Sequence, residues 1–99
     1  MAHHVAPQAE SDLVEIWLYI ARESGSMETA NRVIDAITER FLFLSSFPFA
    51  GRARDLDFGS RTRSFPVGEY VIVYSIEGAN VSILRVIHGR RDFETLFDL

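Results

Sequence analysis

The hydrophobic period of the sequence changes once, near its middle, and this change limits what the chain can fold into. In the first half, apolar residues recur every three to four positions, the spacing of amphipathic helices. In the second half they form short continuous or alternating runs, which are typical of strands. Helices followed by a run of strands predict an α+β fold, in which the helices cover one face of a small sheet.

Two helices are predicted, and both have recognisable ends. Pro7 suits the first position of a helix, which should stop near Ser24-Gly25. Ser26 is a candidate N-cap for a second helix of about twenty residues that ends before Pro48. A short Gly-containing connection favours antiparallel packing of the two helices as a hairpin. Residues 3–6, ahead of the first helix, are compatible with a short edge strand.

Three strands are predicted in the second half, over residues 61–65, 70–76 and 81–88. Short turns separate them, so they should form an antiparallel meander. Residues 48–55 have no period and indicate a loop. The segment 70–76 is almost continuously apolar, as expected of a central strand that is covered on both sides. The helices can cover one face of the sheet, and the other face is covered by residues 93–97 or by a partner.

Composition limits the possible functions. The 99 residues suit a single domain over 1–99, and the absence of cysteine excludes disulfides and thiolate metal sites and fits a cytoplasmic location. No signal peptide or membrane span is expected, and no metal-binding or phosphate-binding motif predicts a cofactor. With a net charge of −4, the chain is not expected to bind nucleic acid specifically and directly. Lysine is absent, so every basic residue except the three histidines is an arginine.

The end of the last predicted strand is the best candidate for a functional site. The run 83–92 begins as a buried strand and continues, after Gly89, into Arg90, Arg91 and Asp92. His88 lies at the point where the strand ends. The alternative is structural, with solvated arginines and a histidine that simply makes a hydrogen bond. Arg85 lies in mid-strand and is expected to form an ion pair, with Asp92 as one candidate partner.

Four segments together resemble the ParE/RelE toxin family of bacterial type II toxin-antitoxin modules. They are Ala9–Ala21 with Trp17, Pro48 with Gly51-Arg52, Gly68–Tyr74, and Leu84–Asp92. They occur in the family's order over almost the whole chain. The resemblance implies a short first strand, a helical hairpin, an antiparallel sheet of three strands and a short C-terminal helical segment. It also implies a cognate antitoxin partner and growth arrest by the free toxin.

RelE-like members of the family cleave mRNA on the ribosome with basic residues and a C-terminal Tyr or His. The resemblance puts Thr62 and Ser64 where these enzymes carry lysines, Val71 where they carry an arginine, and Phe97 at the C-terminal aromatic position. Phe97 has no hydroxyl group to titrate. A nuclease would therefore depend on the following set: His88 as base, with Arg61, Arg63 and Arg91 as cations.

ParE-like members are more similar to this sequence, in the hairpin with Trp17 and in the strand that ends at residues 88–92. They are understood to poison DNA gyrase, which requires a binding surface rather than a catalytic group. The resemblance makes His88, Arg90 and Arg91 the candidate gyrase contacts.

The arginines and phenylalanines suggest where an antitoxin would bind. An apolar groove that takes an acidic tail would use the following residues: Arg61, Arg63, Arg85, Phe93 and Phe97. A third hypothesis is an inactive relative that acts only as a co-repressor together with its antitoxin.

Overall fold

The computed structural model describes residues 3–54 and 61–89. The elements, in chain order, are β1 (His3–Val5), α1 (Pro7–Ser24), α2 (Met27–Ser46), a 3-10 turn (Pro48–Ala50), β2 (Arg52–Ala53), β3 (Thr62–Val67), β4 (Tyr70–Glu77) and β5 (Asn80–His88). The predicted α+β class, the short first strand, the hairpin and the three-stranded meander are confirmed. The predicted C-terminal helical segment lies outside the described residues.

The two helices begin and end where the sequence predicts. Pro7 occupies the first turn of α1, and Gly25 ends that helix with a left-handed φ of 68°. The Ser26 hydroxyl caps α2 by accepting a hydrogen bond from the Thr29 N–H at 3.1 Å. Between the helices, the Trp17 indole donates to the Asn31 side-chain oxygen at 2.7 Å. This hydrogen bond links the two helices of the hairpin.

The five strands form one mixed sheet in the order β1-β5-β4-β3-β2. β1 pairs parallel to β5, and the other neighbours are antiparallel. β4 is therefore the central strand. Ile72 and Tyr74 on one face of β4, and Val73 on the other, are nearly inaccessible. The prediction of a central strand covered on both sides is confirmed.

The main core lies between the helical hairpin and the sheet. Ile37 and Leu44 of α2 pack in one cluster with Tyr74, Ile83 and Val86 of the sheet. The opposite sheet face is buried as well. Its buried side chains include Thr62, Ser64, Val73, Ser75 and Ile87. Residues 93–97, which the sequence offers as one cover for this face with a partner as the alternative, lie outside the described residues.

Two features differ from the sequence prediction. The segment predicted as a loop contains the 3-10 turn and β2, whose two residues pair with Ser64 and Arg63. Two residues are too few for a hydrophobic period to indicate a strand. The third strand begins at Thr62 rather than Arg61, since Arg61 has a left-handed φ of 64°. The alternating pattern predicted that Arg61 and Arg63 lie on one strand face. They do not, because Arg61 precedes the strand.

Candidate functional site

The end of β5 is a well-packed surface around His88. The His88 side chain is 20% exposed, and its Nε2 lies 3.3 Å from Oε1 of Glu69 in the turn before β4. The Tyr70 ring meets the imidazole edge-on, with ring centroids 5.6 Å apart. In the tautomer that carries a proton on Nε2, the imidazole donates to the carboxylate. The imidazole thus contacts an aromatic ring and a carboxylate at the strand end.

At Gly89 the strand end leaves little space for a side chain. Its N–H donates to the Glu69 carbonyl at 2.8 Å, which closes the last rung between β5 and the turn. A Cβ atom at this position would lie 3.2 Å from Cγ2 of Val71 and 3.3 Å from the Glu69 carbonyl oxygen. The glycine therefore lets the chain leave the sheet close to its neighbour. Beside it, a cavity of about 510 Å³ opens between His88 and the β3–β4 turn.

Asp12 of α1 anchors β5 shortly before His88. Its carboxylate accepts two hydrogen bonds from the Arg85 guanidinium, at 2.8 and 3.0 Å, and one from the Val86 N–H at 2.9 Å. β1 pairs only with residues 81–83 of β5, so the Val86 N–H lies beyond the end of the neighbouring strand. Asp12 replaces the missing strand partner and fastens helix to sheet. The predicted ion pair of Arg85 therefore exists with Asp12, and Asp92 lies outside the described residues.

A second region held by hydrogen bonds is the turn that follows the C-terminal end of α2. The buried Tyr74 hydroxyl donates to the Pro48 carbonyl at 2.6 Å and accepts from the Gly51 N–H at 2.9 Å. Burial raises the pKa of Tyr74 above its usual 10.0. Arg63 donates to the Gly51 carbonyl at 2.9 Å and lies over the Phe49 ring, 5.2 Å from its centroid.

Among the predicted nuclease residues that the structure describes, His88 and Arg63 lie far apart. His88 pairs with Tyr70 on β4, whereas Arg63 pairs with Tyr74 from the other side of β4. Four residues of strand separate these positions by about 13 Å, in addition to two strand spacings across the sheet. Arg63 donates to the carbonyls of the 48–51 turn, and Arg61 lies exposed in the turn before β3. Arg90 and Arg91 lie outside the described residues.

The two positions that the family resemblance sets against RelE-like lysines are buried. Thr62 and Ser64 are each 3% exposed. The Ser64 hydroxyl accepts a hydrogen bond from Nε of Arg54 at 2.8 Å. Val71, at the position of the arginine, is half-buried near Gly89. The candidate antitoxin residues Phe93 and Phe97 lie outside the described residues.

The helical side of the molecule carries an apolar groove. It has a volume of about 520 Å³ and lies between the hairpin and the β3–β4 turn. Ile20, Val33 and Val67 form part of its wall, and Arg32 and Glu69 are its charged residues. A groove of this size and composition can take apolar side chains of a peptide.

Sequence reasoning missed three residues that shape these surfaces: Asp12, Glu69 and Tyr74. Asp12 has the appearance of a solvated acidic residue in the first half of a helix, and its partner is 73 positions away. Tyr74 has the appearance of an ordinary strand aromatic. No local sequence pattern indicates either contact. The only general signal is that the hydroxyl group of a buried tyrosine usually has a hydrogen-bond partner.

Neither a metal site nor a membrane span is found in the described part of the chain. Among residues 3–54 and 61–89, no three His, Asp or Glu side chains are placed to hold a metal ion. No helix in these ranges is long and apolar enough to cross a bilayer.

Three comparisons with known proteins, by family model, by sequence and by structure, agree with one another. A family model described as the ParE toxin of the type II toxin-antitoxin system, parDE, matches residues 4–93. Toxin ParE3 of Caulobacter vibrioides is 34% identical over 68 residues, which are 69% of this chain and 67% of that protein. A solved structure described as a chromosomal ParDE TA system from P. aeruginosa superposes with a TM-score of 0.76 at 20% identity, covering 89% of this chain and 95% of the other.

Proposed function

Because this chain belongs to the ParE toxin family of type II toxin-antitoxin systems, we propose that it arrests growth by binding DNA gyrase and that a cognate antitoxin neutralises it. In this proposal the protein is an inhibitor that acts through a surface. The end of β5 contacts gyrase through His88, Arg90 and Arg91.

The separation of His88 from Arg63 is the observation that supports a binding surface over a nuclease. Cleavage of RNA by its own 2′-hydroxyl needs a base and a cation at one phosphate. Here the histidine and the arginine lie on opposite sides of β4, at positions four residues apart along it. A rigid strand end held by Asp12 and Glu69 suits recognition, since a pre-organised surface loses little conformational entropy on binding.

Antitoxin binding is proposed to involve both charge and apolar contact. Arg61, Arg63, Arg85, Phe93 and Phe97 are the residues first suggested by the sequence. Among the arginines, Arg63 and Arg85 already have partners within the chain, and Arg61 is exposed in its turn. We therefore expect Arg61 to contact acidic antitoxin residues directly, and Arg63 and Arg85 to shape the surface.

A gyrase assay tests the proposed target directly. Purified protein is titrated into a DNA supercoiling reaction, and the DNA is examined for gyrase-dependent cleavage. We expect supercoiling to be inhibited, and the double substitution Arg90→Ala/Arg91→Ala to raise the half-inhibitory concentration roughly tenfold or more. Arg22→Ala, which removes an exposed arginine from the last turn of α1, is the matched control and should leave inhibition unchanged.

A parallel ribosome assay tests the alternative. The same protein is added to translating ribosomes, and the mRNA is mapped for cleavage. Intact mRNA is expected. Cleavage of mRNA without any effect on gyrase would contradict the proposal and make His88 and the arginines candidates for catalysis. A protein that does neither, and is harmless when expressed alone, would instead be an inactive relative.

A further inference from the structure

The turn that follows α2 exposes two large aromatic side chains. Phe47 is 60% exposed and Phe49 is 72% exposed. Together with Phe43, Pro48 and Ala50 they line a surface cavity of about 550 Å³. We call residues 47–50, with Phe43, the phenylalanine turn. Exposed apolar patches of this kind in a folded domain commonly mark an interaction site.

The phenylalanine turn is held in place rather than loosely attached. The Tyr74 hydroxyl bonds to both Pro48 and Gly51, and Arg63 bonds to the carbonyls of Gly51 and Phe49. The Phe43 ring packs against those of Phe47 and Phe65, at centroid distances of 5.2 and 5.7 Å. The exposed rings thus project from a fixed backbone. A partner would not have to order this turn on binding.

Arginines surround the apolar surface. Arg40 lies over the Phe43 ring at 5.7 Å from its centroid, and Arg63 lies over Phe49. Arg52, the first residue of β2, is exposed next to Gly51. Within residues 3–54 and 61–89, neither Arg40 nor Arg52 has an acidic partner. The surface therefore offers apolar area and positive charge on a chain whose net charge is −4.

From this combination we infer that the phenylalanine turn is a preformed docking site for an acidic segment of the antitoxin that carries large apolar side chains. The apolar side chains fill the cavity between Phe43, Phe47 and Phe49, and the carboxylates pair with Arg40 and Arg52. The inference rests on the proposed antitoxin partnership and assigns it a surface. This surface contains none of the arginines expected to contact gyrase.

The charge pattern favours a peptide over the other possible occupants. A second copy docked through the same surface would place arginines against arginines, which is unfavourable. Single-stranded nucleic acid is disfavoured because the chain as a whole has a net charge of −4 and repels a polyanion. An acidic apolar segment satisfies both the cavity and the arginines.

Calorimetric titration with the proposed cognate antitoxin tests the inference. We expect Phe47→Ser and Phe49→Ser each to weaken binding roughly tenfold or more. Met27→Ser is the matched control, because Met27 is 65% exposed and begins α2 at the far end from the turn. Arg52→Glu should weaken binding at low salt and less so at 1 M salt, where charges are screened. Arg22→Glu, the charge-reversal control, should leave binding unchanged at both salt concentrations.

The possible outcomes distinguish a failure of the docking site from a failure of the antitoxin partnership. All substituted side chains are exposed, and unchanged circular dichroism and thermal unfolding verify that the variants fold. Tight wild-type binding that is unaffected by the Phe47 and Phe49 changes would overturn the docking site while leaving the antitoxin partnership intact. No wild-type binding would overturn both. The inference would also be overturned if the surface had another occupant. That result would be saturable binding of oligothymidylate, or dimerisation in sedimentation, which the same substitutions abolish.

Discussion

At the level of single residues, Asp12 connects helix α1 to strand β5 through three hydrogen bonds. It satisfies a guanidinium and a strand N–H at once, in a site where the Asp12 and Arg85 side chains are only 12% and 29% exposed. Asp12→Ala removes the acceptor of the Val86 N–H and of two Arg85 N–H groups. We expect it to lower the free energy of unfolding by about 2–4 kcal/mol in urea denaturation.

A control and a double-mutant cycle make the Asp12 prediction specific. Glu15→Ala removes an exposed carboxylate from the same helix and should change stability by less than about 0.5 kcal/mol. Arg85→Met combined with Asp12→Ala should cost clearly less than the sum of the single changes, because the two side chains bond directly and each single change already removes that interaction. Strict additivity in the cycle would show that the pair does not act as a unit.

Tyr74 makes stability depend on alkaline pH. Its neutral phenol is favoured in the folded protein because burial raises its pKa above the unfolded value of 10.0. The resulting stability is fully present below pH 10 and is lost as the pH rises through the folded-state pKa. At pH 8, Tyr74→Phe should cost about 1–2 kcal/mol, because the Pro48 and Gly51 groups lose their partner.

The distinguishing observation for Tyr74 is how this difference changes with pH. Urea denaturation from pH 8 to pH 11 should show the wild type and Tyr74→Phe converging, since only the wild type has this phenol to ionise. Tyr19→Phe, in an exposed position on α1, should follow the wild-type profile. A constant gap between wild type and Tyr74→Phe up to pH 11 would mean that burial does not control this titration.

At the level of elements, the turn between α2 and β2 depends on a glycine for space rather than for backbone freedom. Gly51 has an ordinary extended backbone with φ of −80°. A Cβ atom there would lie 2.4 Å from the Tyr74 hydroxyl oxygen and 2.7 Å from the Ser64 carbonyl oxygen. We expect Gly51→Ala to lower the free energy of unfolding by roughly 2–3 kcal/mol by forcing the turn away from β3 and β4.

Gly25→Ala provides the contrast. Gly25 has a left-handed φ of 68° but nothing within 4 Å of an added Cβ, so its substitution should cost only the conformational term of about 1–2 kcal/mol. In addition, only Gly51→Ala should weaken antitoxin binding, because it moves Phe49. Equal costs for the two glycines in denaturation would contradict the steric explanation.

Periodicity was sufficient for the longer elements and insufficient for the short ones. Long apolar stripes and the caps at Pro7, Gly25 and Ser26 are local signals, and the helix bounds follow from them. β2 has only two residues and exists because it pairs with β3, and Arg61 leaves the strand because its φ is positive. Both depend on contacts between segments that a single-sequence pattern does not encode.

The candidate site was predictable in part at the scale of the whole molecule. His88 and Gly89 follow an apolar run and are recognisable as a strand end from the sequence. Their anchoring by Glu69 and the fastening of β5 by Asp12 connect positions 19 and 74 residues apart. No spacing rule links such positions. The same limit applies to the phenylalanine turn, since only the fold shows which of the clustered phenylalanines remain exposed.

Two proposed surfaces on one small domain lead to a prediction about how its activities separate. The phenylalanine turn is tied to Tyr74, whereas His88 pairs with Tyr70, about 13 Å away along β4. Arg90→Ala/Arg91→Ala should therefore raise the half-inhibitory concentration for gyrase roughly tenfold or more and leave antitoxin affinity within about twofold. Phe49→Ser should weaken antitoxin binding and leave gyrase inhibition unchanged.

Co-expression tests the Phe49→Ser variant in cells, because a toxin that still inhibits gyrase but binds antitoxin weakly should arrest growth even when the antitoxin is present. Parallel loss of both activities in both variants, with unfolding unchanged, would mean that gyrase and antitoxin share one continuous surface.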